Sequence, residues 1–371
     1  MMIDLKNKSF GKSKVDDRLR RIADVLLLNA SFLENIGLLN GKMGIAIFFY
    51  HYSRYSGAKI FEDYAGELID EIYEGINNST PIDFTNGLTG IGWGIEYLVK
   101  NKYVEADTDE ALSEIDNSVY RNSLYRPFLL ENDKHLFGYG LYYIARLREN
   151  ENDDDNLNTL FKKQHLIYLT DDVERILTQK EYLKFDISSL SIDTINSILL
   201  FLLEMHRIRL FPLKVEKVFQ SLPEFIESGL QNSSDKSARS LLHQLTENII
   251  TCTSDKDLNS TFRAILKKAD IKITDINSAD DNLADQFIKY SWQQLIYAQY
   301  IKEDNDYLND DGTIFPIIDY EENWNRRLDN LNNNNLGLNG LAGIGLGFLN
   351  GRIREELRTD KSEIRLQNNI E

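Results

Sequence analysis

One cysteine, Cys252, stands in 371 residues. An intrachain disulfide and a cysteine-rich zinc site are therefore both excluded. No apolar run approaches the roughly 18 residues that mark a membrane span, and residues 1–20, MMIDLKNKSFGKSKVDDRLR, lack the apolar core of a secretory signal. The expected location is the cytoplasm. Positive charge is also short: 42 lysines and arginines face 59 aspartates and glutamates, a net charge of -17. A general binder of nucleic acid or of anionic membranes would have to press acidic surface against phosphate, so neither partner is expected. The full phosphate-cradling motif Gly-x-x-x-x-Gly-Lys-Ser/Thr is missing as well: Gly11-Lys12-Ser13 has Lys6, not glycine, five positions before Gly11.

What the chain has instead is a recurring glycine block. Between Asn334 and Gly351 five glycines (Gly337, Gly340, Gly343, Gly345 and Gly347) alternate with apolar residues. Asn339-Gly340-Leu-Ala-Gly343-Ile-Gly345 matches Asn86-Gly87-Leu-Thr-Gly90-Ile-Gly92 and, more loosely, Asn40-Gly41-Lys-Met-Gly44-Ile-Ala46. Each copy leads into an apolar run, which marks a structural repeat.

The spaces between the copies read as helical hairpins. Gly44 to Tyr55 is apolar or aromatic around most of a helix, whereas Ile60 to Ile76 alternates apolar and acidic positions at helical period. The first predicts an inner helix and the second an outer one. A shift of 46 residues carries Gly44 to Gly90, and a second carries Gly92 to Gly138 inside DKHLFGYGLYYIARL. Further inner helices are expected at Ser188–His206, Ser237–Ile250 and Leu283–Tyr300. The inner starts then fall near residues 44, 90, 136, 194, 242, 290 and 343, seven in all. This spacing predicts an all-α fold, an α/α toroid of about seven hairpins in one domain over 1–371.

Glycine just before each inner helix suits a turn with positive φ, leaving the first N–H groups of the helix free. Glycines inside the helices cost about 1 kcal/mol each relative to alanine. Close packing of a neighbouring inner helix, particularly where the last block meets the first repeat, is the expected compensation; approach of a ligand is the alternative.

The Asn-Gly-x-x-Gly-Ile entrances at 40–45, 86–91 and 339–344, with the weaker HLFGYG at 135–140 and seven hairpins, resemble the lanthionine synthetase C-like (LanC-like) family. The resemblance implies an α/α toroid with a central cavity. In active members two cysteines and a histidine near the fifth and sixth inner helices hold zinc, which activates cysteine thiols of a precursor peptide for addition to dehydrated serine or threonine. This chain has neither Cys-His nor Trp-Cys-x-Gly, and His243 in the fifth inner helix suits a core position. No metal or other cofactor is expected, and zinc-dependent cyclisation is not.

A zinc-less LanC-like protein would bind a peptide substrate or a peptide-modifying protein at the ring's mouth. Candidate rim residues are Asp83, Asn86, Asp133 and His135 at the entrances, with Trp93 and Glu96 further along a helix. Their plainer roles are helix capping for the aspartates and packing for Trp93. A glycoside hydrolase or lyase on a related α/α barrel is the alternative, needing two of Asp83, Glu96 and Asp133 across one cavity. Related barrels mostly have six hairpins, which weighs against it.

Overall fold

A computed structural model describes residues 2–125, 133–147, 157–178, 190–269, 295–296 and 336–349. Side chains are described within these ranges from Val15 onward, apart from 123–125, 133–137, 157 and 236–237. Helices and short turns make up the described residues, with no strand among them. The chain divides into two compact units, one of 1–79, 276–296 and 303–371, the other of 80–275 and 297–302.

The first unit opens with α1 (Met2–Asn29), followed by the hairpin α2 (Lys42–Ser56) and α3 (Lys59–Gly75). Residues Lys42 to Tyr50 of α2 are all buried, as its unbroken apolar run requires. Gly57 ends this helix at φ 70, its N–H donating to the Ser53 carbonyl at 2.8 Å. That left-handed turn needs glycine and reverses the chain into α3. The outer helix buries one stripe only, Ala65, Leu68 and Ile72. Phe49 of α2 stacks on Phe61 and meets the edge of Tyr64, which seals the hairpin.

The last glycine block belongs to this same unit. Residues 341–349 form a helix packed on α2: a methyl built on Gly345 would lie 2.3 Å from Cε2 of Phe48, and one on Gly44 would lie 2.7 Å from Cγ of Leu338. The preceding loop is bonded to the first entrance loop, with Asn339 N–H donating to Leu39 O at 2.8 Å and the Asn339 and Asn40 side chains 3.0 Å apart. Close packing between the last block and the first repeat is therefore observed. The expected inner helix near residue 290 lies outside the described residues.

In the second unit the inner helices are α4 (Leu88–Lys100), α7 (Asp133–Arg146), α9 (Ile192–Arg207) and α12 (Lys236–Cys252). They pack side by side in chain order, α4 on α7, α7 on α9 and α9 on α12. Between them run α5 (Thr108–Ala111), α6 (Ser113–Tyr125), α8 (Leu157–Thr178), α10 (Pro212–Phe219) and α11 (Pro223–Asn232), and α13 (Lys256–Ala269) closes the series. The charged outer segment that follows α4 is broken at Leu112 into α5 and α6. Ser191 caps α9 through Thr194 N–H at 3.1 Å, and Asp235 caps α12 through Ala238 N–H at 3.0 Å. Side-chain caps thus replace the glycine entrances here.

Glycines inside the inner helices are receptors for neighbouring rings. A methyl on Gly92 of α4 would lie 2.3 Å from Cε2 of Tyr142 on α7, and one on Gly140 of α7 would lie 2.7 Å from Cδ2 of Phe201 on α9. Gly140 therefore occupies the role of Gly92 one repeat on, two residues later than the 46-residue shift predicts. Real Cβ atoms do not approach rings so closely, and the dense interior has little room to yield.

Alanine at Gly92 improves helix propensity by about 1 kcal/mol, but the clash with a buried ring costs more, so the net expectation is destabilisation of about 1–2 kcal/mol. Urea denaturation of Gly92→Ala checks this, and a midpoint above that of the parent would refute the packing account.

His51 of α2 supplies a second prediction. Burial, with Arg54 adding to it, lowers its pKa from 6.5 to about 4. The unfolded chain then binds the proton over that window while the folded chain does not, so stability is complete above pH 6.5 and falls as pH drops toward 4. His51→Gln should remove about 1–3 kcal/mol of that acid-side loss, and its imidazole resonances should not titrate above pH 5.5 in the parent.

Candidate functional site

The α4 entrance is built from backbone bonds together with the side chains of Asp83 and Thr89. Leu88 N–H donates to Pro81 O at 2.8 Å, Thr89 N–H to Ile82 O at 3.3 Å, and the Thr89 hydroxyl to Ile82 O at 2.7 Å. Asp83 Oδ1 accepts from the N–H groups of Thr85 and Asn86, both at 2.9 Å, and Asp83 O accepts from Gly87 N–H at 3.0 Å. The α2 entrance repeats the plan through Lys42 N–H to Asn35 O at 2.9 Å, and the 341–349 helix through Ala342 N–H to Leu336 O at 3.0 Å.

Two expectations are corrected by this geometry. The glycines preceding α2 and α4 do not take positive φ: Gly41 sits at φ -132 and Gly87 at φ -124, extended backbone open to any residue. What demands glycine is space, because a methyl on Gly87 would lie 2.2 Å from Pro81 O and one on Gly41 2.5 Å from Asn35 O. Nor are the first N–H groups free, since the loop carbonyls take them. An anion site at these helix starts has few donors left to offer.

Asp83 and Asn86 are half-buried on this loop, and Phe84 and Trp93 lie beneath it, ring edge to face at 5.8 Å. Trp93 also stacks on Tyr97 at 5.4 Å. Gly138 of α7 presses on the same place, a methyl there falling 2.9 Å from Thr89 Oγ1 and 3.3 Å from Phe84 N. Asp133 and His135 stand in the first turn of α7, and their side chains lie outside the described residues. The α7 start and the α4 entrance are thus neighbours, joined through Gly138.

Glu96 lies elsewhere. It is eight residues into α4, about 12 Å along the axis from Leu88, and its carboxylate pairs with Arg146 near the end of α7. Arg146 is only 2 % exposed. Its guanidinium also meets Asp116 at 2.7 Å and Asp109 at 2.9 Å, and donates to the Thr108 hydroxyl at 3.1 Å. Tyr142 donates to Asp116 at 2.5 Å, and buried Lys162 stands 3.9 Å from both aspartates.

Burial opposes the charge on Arg146, yet Asp116, Tyr142 and Glu96 outweigh it and leave the group more firmly protonated than usual. Burial first, and then Asp116, hold the Tyr142 hydroxyl well above its ordinary range. A saturated cluster of this kind joins α4, α5, α6, α7 and α8 and has little capacity for proton transfer. Sequence reading placed Glu96 near the rim and missed Arg146, Asp109 and Asp116, because acids on outer helices look like solvated surface.

The remaining metal and nucleophile candidates are scattered. His243 is half-buried on α12, His165 bonds Phe161 O through Nδ1 at 2.8 Å, and His206 lies 3.7 Å from Glu216. Cys252 is the last residue of α12, and burial raises its thiol pKa. No group of three or more histidines, cysteines or acids fit to hold a metal occurs among the described residues.

Fold and site together define an all-α protein of inner and outer helical hairpins, with glycine entrances to the inner helices of its first two repeats and its last. Residues 2–144, a span that takes in the first three inner helices, match the family model described as Lanthionine synthetase C-like protein. The family's α/α-toroid class agrees with the helical hairpins described above. No curated protein and no solved structure matches the chain. No described helix is long and apolar enough to cross a membrane.

Arg146→Met should cost about 3–5 kcal/mol, since it strands three acids around an apolar side chain. Denaturant unfolding measures it. A loss under 1 kcal/mol would show that the cluster contributes little to holding the five helices together.

Proposed function

We propose that the protein is a zinc-less LanC-like protein that binds a peptide, or a protein that modifies one, at the glycine entrances to its inner helices. The observation that carries this reading is the LanC-like match over 2–144, which includes the α4 entrance with Asp83, Asn86 and Trp93. Asp133 and His135 at the start of α7 belong to the same rim on this reading. Glu96 is a structural partner of Arg146 and is left out of the rim.

Zinc chemistry does not fit the residues present. A zinc-bound thiolate site of the family's kind needs two cysteines, and the chain has one. Cys252 stands at the carboxyl end of α12, where the helix dipole and burial both oppose a thiolate.

The hydrolase reading finds no support of its own. The Asp83 carboxylate serves two loop amides and that of Glu96 serves Arg146, so neither is poised as a free acid or base. The single-domain reading over 1–371 is retained as part of the proposal. Its support is that the 341–349 helix packs on α2 within one compact unit.

Two measurements on the purified protein test the reading. Elemental analysis should find zinc far below one equivalent. Fluorescence anisotropy with a labelled peptide carrying a cysteine and a dehydroalanine should show binding without ring closure by mass spectrometry, and Asn86→Ala should weaken it about three- to tenfold. Stoichiometric zinc or zinc-dependent ring closure would overturn the zinc-less assignment, and absence of binding would overturn the peptide assignment.

A further inference from the structure

The corner between α9 and α10, residues 208–213, presents an apolar pair under backbone constraint. Among the described residues only Lys102, Arg209 and Phe211 are non-glycine with positive φ, and two of the three fall here, at 54 and 53. Such conformations persist only where surrounding bonds impose them. Leu210 N–H donates to Met205 O at 3.2 Å, Arg209 N–H to His206 O at 3.0 Å, and Phe211 O accepts from Lys214 and Val215 at 3.0 and 3.1 Å. Pro212 fixes the next step and opens α10.

The result of this constraint is exposure of apolar surface. Phe211 is 46 % exposed and Leu213 82 %, the largest fraction among the exposed apolar side chains described. Burial drives neither residue into this arrangement, so packing within the unit does not account for it.

The surrounding charges select the partner. Arg207 is paired with Glu204 at 3.0 Å, Lys214 with Asp171 and Glu174, and Lys217 with Glu174 at 2.9 Å. Arg209, exposed and two residues before Phe211, has no ion pair or side-chain hydrogen bond among the described residues. One exposed guanidinium within four residues of two exposed apolar side chains complements a carboxylate close in sequence to apolar side chains. An anionic bilayer brings many phosphates against a chain of net charge -17, whereas a segment with a single carboxylate needs only the one guanidinium.

We propose that the Arg209–Leu213 corner is a docking site for a short protein segment with one or two apolar anchors and a carboxylate that pairs with Arg209. Because it rests on residues apart from the glycine entrances, it stands or falls independently of the peptide site.

Selection of a displayed library of random dodecapeptides on the intact protein tests it. Enriched sequences should carry an aromatic or aliphatic residue within a few positions of Asp or Glu, and the corresponding synthetic peptides should bind at least tenfold more weakly to Arg209→Glu and to Leu213→Ser. Phe211→Asn keeps a residue that tolerates the left-handed backbone, so it should lose affinity with no fall in the unfolding midpoint. No enrichment, or peptides indifferent to all three substitutions, would overturn the proposal. So would sedimentation with phosphatidylserine vesicles, or concentration-dependent dimerisation, that Leu213→Ser abolishes; these would assign the corner to a membrane or to a second copy.

Discussion

The approach of an aromatic ring to a helical glycine is the contact on which the inner helices depend. Gly92 receives Tyr142, Gly140 receives Phe201, and Gly345 receives Phe48. In the second unit the ring comes each time from the inner helix that follows in the chain, and in the first unit the last block receives its ring from the first inner helix. A glycine is a poor helix former, so its presence at these points is a trade of local propensity for axial proximity. The trade is local to each pair of helices, which explains why one motif recurs with the repeat.

Tyr142 links this contact to the second determinant of the fold. Its ring fills the space over Gly92 while its hydroxyl bonds Asp116, which in turn holds Arg146. Inner-helix packing and the ion cluster therefore constrain one another through a single side chain. A buried ion network is only weak evidence for stability, because desolvation offsets much of its attraction. Its stronger effect is on register: Glu96, Asp109, Asp116 and Lys162 come from four different helices and meet Arg146 or its partners in only one alignment.

Much of the helix inventory was legible because burial on all sides leaves an apolar run no reader can miss, as in IAIFFY of α2 and ILLFLL of α9. The glycine blocks marked the entrances for the same reason. What a fixed period misjudged was α7, where the glycine that receives a ring is Gly140 and not Gly138. Backbone conformation was also beyond the pattern: Asn-Gly suggests a left-handed turn, yet the carbonyls of Pro81 and Asn35 crowd the glycine in an extended one. The Arg146 cluster was illegible in principle, since its acids lie 30 to 50 residues before Arg146 and each alone resembles ordinary surface charge.

The entrances bear on how function and fold are divided in this chain. Their shape comes from carbonyl-to-amide bonds and from the lack of a glycine Cβ. The Asp83 carboxylate adds to these by closing the turn. The cysteine position tells the same story from the other end: Cys252 closes α12 and no described contact of the glycine receptors or of the Arg146 cluster involves a thiol. A scaffold held in this way keeps its hairpins whatever chemistry its rim carries. It follows that the glycines and the carbonyls packed against them set the shape of the entrances, while the hairpins themselves are held by contacts made further along the helices.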